Sequence, residues 1–251
     1  VSSFAGATPA TRQYTGDGGP ATSAGINSPL GLFLSTNGVL YVADSGNFVI
    51  RAINTNTNII TTFAGDPYAF DYGEGGPATS ALMGAFGVCG DTSGVIYIAD
   101  TVYSQIRKVA IDGIITTISG GNGAGYSGDN GTAINAVLNF PYNCQRDSLG
   151  NLYIPDNRNH RIRKISSRGI ITTIAGDGLS NSANGSIHVA TAVSITPTML
   201  QLDSLGNIYF YDSSYVRKLY TLATPTTMPT VTPTIVPSAI PTDVPTIVPS
   251  A

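Results

Sequence analysis

The sequence predicts an all-β fold, a β-propeller of four four-stranded blades followed by an extended polyproline II tail. Three observations lead to this prediction. A unit of about 56 residues occurs four times, each copy contains short runs rich in Ile, Val, Tyr and Thr with glycine-containing turns between them, and helical periodicity is absent apart from a single turn at PATSA. Four-stranded units that repeat at roughly this spacing are typical of propellers.

The second strand of each unit ends on an aspartate, and the third strand contains an arginine. The segments NGVLYVAD, SGVIYIAD, LGNLYIPD and LGNIYFYD are followed by FVIRAI, SQIRKV, HRIRKI and YVRKL. Because both rows occur in every unit whereas a catalytic group is usually singular, we expect them to make structural contacts between strands. The rows are Asp44, Asp100, Asp156 and Asp212, and Arg51, Arg107, Arg163 and Arg217.

The fourth strand, ITTFAG, ITTISG or ITTIAG, is missing from the last unit, and the chain opens with a match to it, VSSFAG. We therefore expect residues 1–6 to complete blade four and close the ring, which would leave no exposed sheet edge. A fragment of a larger ring is the alternative. The propeller domain is predicted at 1–222 and the tail at 223–251. The four repeats are placed at about 7–64, 65–119, 120–175 and 176–222.

Together with the glycine-rich GDGGPATSA loop, these segments resemble the NHL repeat, most closely in the third copy, DSLGNLYIPDNRNHRIRKI. The resemblance covers about residues 1–222 and implies blades arranged around a central axis. It implies little about activity, because NHL propellers serve as protein-binding, RNA-binding, extracellular and, in rare cases, catalytic modules.

Composition excludes some classes of function. The formal net charge of −3 argues against a nucleic-acid partner, which needs a basic surface. No run of eighteen apolar residues occurs, so no membrane span is expected. Only 11% of residues are charged, so solubility must come from Ser, Thr, Asn and Gly or from groups attached to them.

No catalytic residue, metal or cofactor is predicted, and we expect the protein not to be an enzyme. Asp17, Glu74 and Asp129 in the glycine-rich loops supply one carboxylate per loop, whereas calcium needs six to eight oxygens. His160 and His188 are the only histidines. Amidating lyases with related repeats use several histidines around zinc, and two do not rebuild such a site.

Cys89 and Cys144 lie on the first strands of adjacent blades, offset by one position. The innermost strands of neighbouring blades are close enough for a disulfide. However, an offset of one directs the side chains to opposite faces, and two buried thiols are the alternative. Asn130 in NGT and Asn184 in NGS are N-glycosylation sequons in loops that connect blades.

The tail has a proline at every fourth residue, followed each time by Thr or Ser. Proline fixes φ and excludes a helix or a central strand, which leaves polyproline II. With about three residues per turn, a period of four winds the hydroxyls around all sides of the rod. This pattern resembles O-glycosylated stalks, hydroxyproline-rich glycoproteins and glycofibrils. The candidates for hydroxylation or O-glycosylation are Pro225, Thr226, Pro229, Thr230, Pro233, Thr234, Pro237, Ser238, Pro241, Thr242, Pro245, Thr246, Pro249 and Ser250.

These features together favour an extracellular structural glycoprotein. Its propeller would be a rigid bead in a fibre or surface appendage, and its glycosylated tail would link or dock the beads by self-association. The alternative is a cell-surface binding module, in which a propeller face recognises protein or glycan and the tail is a stalk. Both interpretations place the protein outside the cell or at its surface.

Overall fold

The computed structural model describes residues 2–7, 13–180 and 189–220. The chain divides into two units, Val1–Thr221 and Leu222–Ala251, and all described residues belong to the first. This unit is an all-β propeller of four antiparallel blades, which confirms the predicted fold class. The described part of the chain contains no helix with the length and apolar character needed to cross a bilayer.

The strands follow the repeats in order, from the inside of each blade outwards. Three blades have four strands and the fourth has three among the described residues. Blade one contains β1 (Pro29–Leu34), β2 (Val39–Asp44), β3 (Val49–Asn54) and β4 (Ile59–Ala64). Blade two contains β5 (Gly87–Gly90), β6 (Ile96–Asp100), β7 (Gln105–Val109) and β8 (Ile115–Gly120). Blade three contains β9 (Gln145–Arg146), β10 (Leu152–Asp156), β11 (Arg161–Ile165) and β12 (Ile171–Ala175). Blade four contains β13 (Pro197–Leu202), β14 (Ile208–Asp212) and β15 (Tyr215–Leu219).

Helical structure in the described residues is limited to single 3₁₀ turns of three residues. Four of them lie in the loops between blades, where the PATSA-type sequences occur, and two connect the second and third strands. Their bounds are Ala21–Ser23, Ser45–Asn47, Ala78–Ser80, Ala133–Asn135, Asn157–Asn159 and Ala190–Ala192.

The opening segment contacts blade one in the way that the end of a fourth strand contacts the next blade. The Gly6 N–H donates to the Ala21 carbonyl (2.9 Å), just as the Gly65 N–H beyond β4 donates to the Ala78 carbonyl of blade two (2.8 Å). Residues 2–6 belong to no strand, however, and β15 pairs only with β14 among the described residues. The described residues therefore show the contact of the opening segment with blade one, but not its pairing with β15 as the fourth strand of blade four.

The blades pack face to face, and strand alternation decides which side chains meet. We call the face that carries the repeated tyrosine of the second strand the leading face, and the opposite one the trailing face. The leading face of blade one packs Tyr41, Ala43 and Ile50 against Val88 and Ile98 on the trailing face of blade two. The same arrangement joins blades two and three, and blades three and four.

Candidate functional site

The buried arginines tie each glycine-rich loop to its blade. Arg163 has a fully buried side chain whose Nη2 lies 2.8 Å from Oδ1 of Asp129 in the loop, and whose Nη1 lies 3.3 Å from Oδ2 of Asp156 on β10. Blades one and two repeat this bridge with Arg51 between Asp44 and Asp17, and with Arg107 between Asp100 and Glu74. In blade four, Arg217 pairs with Asp212.

The second-strand aspartates also anchor the segment that leads into the first strand. Asp156 accepts hydrogen bonds from the Asn139 N–H (2.7 Å) and the Asn159 side-chain amide (2.8 Å). Burial raises the pKa of Asp156 to about 6, although these hydrogen bonds and the nearby Arg163 favour its charged form. The equivalent backbone bonds join Asp44 to Asn27, Asp100 to Gly84 and Asp212 to Thr196. Both rows therefore make contacts within the protein, in keeping with a structural role.

The loop carboxylates that we considered for calcium are engaged in the same bridges. Glu74 accepts hydrogen bonds from the Thr117 N–H and hydroxyl at 2.9 Å, and Asp129 accepts one from the Tyr126 hydroxyl at 2.7 Å. Asp17 accepts from the Thr62 N–H at 3.1 Å. Within the described ranges, no group of three or more His, Cys, Asp or Glu side chains could hold a metal ion.

His160 occupies a turn position between the second and third strands. Its φ is +53°, and the equivalent turns place Phe48, Ser104 and Ser213 at φ between +54° and +60°. Nδ1 of His160 lies 3.3 Å from the Thr196 hydroxyl oxygen. Because phenylalanine or serine fills this position in the other three blades, the histidine has no evident chemical role here.

Cys89 and Cys144 form a disulfide that joins blades two and three, with their Cα atoms 5.8 Å apart. Cys89 lies opposite Tyr97 on the leading face, and Cys144 packs in the same cluster from the trailing side of blade three. The offset of one position does direct the side chains to opposite faces. Since neighbouring blades meet through opposite faces, the offset brings the two sulfurs together rather than keeping them apart.

Asn130 lies exposed in a loop, with a positive φ of 64°, and its backbone N–H donates to the Ile171 carbonyl (2.8 Å). Its side chain is therefore open to solvent. Asn184, His188 and all the tail candidates between Pro225 and Ser250 lie outside the described residues.

The leading face of blade four is exposed, unlike those of the other blades. Tyr209, Tyr211 and Val216 are 36%, 57% and 68% exposed. Their counterparts in blade two are at most 8% exposed: Tyr97, Ala99 and Ile106. The strand registers establish this equivalence, because Tyr211 pairs with Val216 as Ala99 pairs with Ile106.

The trailing face of blade one is exposed along its innermost strand. Leu30, Leu32 and Leu34 on β1 are 43%, 63% and 61% exposed. Val88 and Leu200 hold the position of Leu32 in blades two and four and are at most 3% exposed. The apolar side chain at the Leu32 position, which is buried in blades two and four, thus remains accessible in blade one.

These two faces line one cleft of about 330 Å³, which we call the seam cleft. One wall carries Leu30 and Leu32, and the other carries Tyr209, Tyr211 and Val216. Three amide side chains also line it: Asn143, Gln145 and Gln201. Among the described residues, none that lines the cleft has a charged side chain, and the volume lies in the range of small-ligand sites.

A second cavity, of about 490 Å³, lies among the turns between first and second strands, and most of its lining residues are Ser, Thr, Asp or Arg. There Arg146 donates to Asp91 (2.7 Å) and lies over the Tyr97 ring. Burial opposes ionisation of Asp91 and Asp147, but hydrogen bonds from Ser93 and Arg146 to the first, and from Asn151 to the second, lower the pKa of both. Asp91 and Arg146 pair with each other and Asp147 accepts hydrogen bonds from Asn151 and Tyr153, so the seam cleft is the stronger candidate site.

The sequence contained a signal for the seam cleft that repeat analysis missed. The fourth unit reads YFYD where the second reads YIAD, so Tyr211 replaces a small alanine that packs against the next blade. A bulky residue at a position that is otherwise closely packed indicates a face that no blade covers.

No protein-family model matches the chain, so the NHL resemblance stays a prediction. Over 199 residues, the chain is 25% identical to Protein SUPPRESSOR OF QUENCHING 1, chloroplastic, of Arabidopsis thaliana. This match covers 75% of the chain but only 19% of that protein.

The solved structures that the chain matches share its fold. A protein of unknown function from Bacteroides thetaiotaomicron has a TM-score of 0.61 and 19% identity, over 76% of this chain and 46% of that one. An auxiliary nutrient binding protein from Bacteroides ovatus has a TM-score of 0.58 and 17% identity, over 78% and 48%. The chain thus spans about half the length of these structures. Names among the matches cover both binding proteins and enzymes, so the likeness in fold does not decide between them.

Proposed function

We propose that this chain is an extracellular binding module without catalytic activity, and that its seam cleft recognises an extended, uncharged ligand. The observation that carries the proposal is the exposure of Tyr209, Tyr211 and Val216 on a face whose counterparts are buried in the other blades. Accessible tyrosine and aliphatic side chains around a concave surface are typical of ligand sites.

Two further observations support the proposal. The disulfide between Cys89 and Cys144 fits an oxidising compartment outside the cytosol. An auxiliary nutrient binding protein is among the solved structures that share this fold, which is in keeping with a binding role. The tail, in this proposal, is a stalk that carries the module.

The test is a binding screen of the full chain against a glycan array and a displayed library of random twelve-residue peptides. Tyr211→Ser removes an aromatic ring from one wall of the seam cleft. Tyr68→Ser is the matched control, because Tyr68 is an exposed tyrosine outside the cleft. Ligands that bind the wild type and the control but not Tyr211→Ser support the proposal. Ligands that bind all three proteins equally, or the absence of any ligand, contradict it.

A second candidate function, the subunit of a fibre, is favoured by the strict four-residue period of the tail. Peptide mass spectrometry of residues 225–251 from natural material tests it. Heterogeneous masses in hexose or pentose steps, with the mass of one additional oxygen on proline, are the expected result. Peptides at their unmodified mass would leave the tail as a plain spacer.

A further inference from the structure

We propose that the seam cleft binds the Pro/Thr-rich tail of a second copy of this chain, so that copies join head to tail. The inference rests on the proposed function, because it names the partner of the same cleft. It also gives the regular period of the tail a function, because each repeat would be a ligand for the cleft.

The walls of the cleft suit a proline-rich strand. Tyrosines line grooves that bind polyproline II segments, because the flat ring packs on the pyrrolidine and the hydroxyl reaches a backbone carbonyl. Tyr209 and Tyr211 present such rings beside Val216, opposite the side chain of Leu32. Proline-rich strands also lose little conformational entropy on binding, since their backbone is already extended.

Amide side chains at the floor of the cleft can serve the peptide backbone. In polyproline II, carbonyl groups point outwards without partners, and prolines have no N–H to satisfy. Gln145 donates to Gln201 (3.2 Å), and Asn143 donates to the Leu200 carbonyl (3.3 Å). These amides and the tyrosine hydroxyls supply N–H and O–H donors that can pair with such carbonyls.

The cleft and the tail also match in charge. No charged side chain of the part of the chain that the structure describes lines the cleft, and Asp243 is the only charged side chain in the sequence between Pro225 and Ala251. An ionised ligand group would lose its hydration in this cleft without a partner of opposite sign. An uncharged tail avoids that penalty along nearly its whole length.

The length and stiffness of the tail favour a second copy over its own propeller. At about 3.1 Å per residue, the polyproline II geometry that the sequence predicts for residues 225–251 would span roughly 80 Å, whereas a globular domain of about 220 residues has a radius of gyration of roughly 17 Å. Proline-rich segments are semi-rigid and turn back only over many residues. The constant period gives every unit the same chemistry, so a short cleft can bind the tail in several equivalent registers.

The experiment measures the anisotropy of a labelled peptide, PTVTPTIVPSAI (residues 229–240), titrated with the full chain. A peptide with alanine at its three prolines is the ligand control, and Tyr68→Ser is again the protein control. We expect the proline peptide to bind the wild type and Tyr68→Ser equally, and Tyr211→Ser at least tenfold more weakly. Leu32→Ser on the opposite wall should give a similar loss, and circular dichroism checks that each variant is folded.

Sedimentation velocity of the full chain then tests the head-to-tail contact. Association that rises with concentration, is suppressed by the free peptide and is lost in Tyr211→Ser supports the inference. A chain that stays monomeric, a peptide that does not bind, or equal binding by all variants overturns it. If glycan or unrelated peptide ligands from the earlier screen still need Tyr211, the binding module stands and only its partner is wrong. If none do, both proposals fail.

Discussion

Removal of the disulfide between Cys89 and Cys144 should lower the free energy of unfolding by about 4 kcal/mol. The two cysteines are 55 residues apart, and closing a loop of that length removes about 14 cal/mol/K of entropy from the unfolded chain. At 25 °C this corresponds to about 4 kcal/mol, an upper value because residual structure in the unfolded state reduces it. Urea unfolding of the Cys89→Ala/Cys144→Ala double variant, followed by tyrosine fluorescence, measures the difference.

The single variants provide the control. Cys89→Ala and Cys144→Ala each break the same cross-link, so each should lose nearly as much as the double variant, and reduced wild type should behave like them. A double variant within about 1 kcal/mol of the oxidised wild type would contradict the entropic argument. A single variant that keeps the wild-type stability would contradict the disulfide itself.

Three other outcomes follow from buried charge, ionisation and exposure. Arg163→Met should cost about 3–5 kcal/mol in urea unfolding, because it leaves two carboxylates without their buried cation, and Lys108→Met is a partly exposed control. Asp147→Asn should cost about 1–3 kcal/mol at pH 7. Since hydrogen bonds lower the pKa of Asp147 in the folded state, its contribution is present above the ordinary pKa of 3.8, and the difference between wild type and variant should vanish as the pH falls through the folded value. Val216→Ala should change stability by less than about 0.5 kcal/mol. Its buried counterpart Ile106→Ala should cost about 2–5 kcal/mol, and equal costs in thermal unfolding would show that the seam is packed.

The repeats predicted the blades because each strand carries its own local signal. Asp44 and its three counterparts end the second strand in every unit, and the apolar alternation fixes which side chains face the neighbouring blade. The sequence left the disulfide open, because the one-position offset argued against it, whereas opposite faces are the ones that meet between neighbouring blades. Sequence reasoning could place each blade without knowing its neighbours.

The seam cleft could not be predicted in this way, because exposure depends on how the first and last blades meet. Leu32 and Val88 are similar apolar residues at the same strand position, yet one is exposed and the other is buried. In the sequence, Tyr211 in place of a small residue was the signal for the exposed face of the last unit. The closure of a ring is a property of the whole array, so local patterns contain little information about it.

The cross-link at the centre of the array has a consequence for how the molecule opens. Each blade touches only its neighbours, so the energy that holds the array together is distributed as a series of junctions. The junction between blades two and three is covalent, whereas blade four has one face covered and one face open. Thermal or mechanical unfolding should therefore begin at blade four and proceed towards the junction between blades two and three. A ligand that spans the seam would contact both the first and the last blade and would raise the unfolding temperature of the propeller.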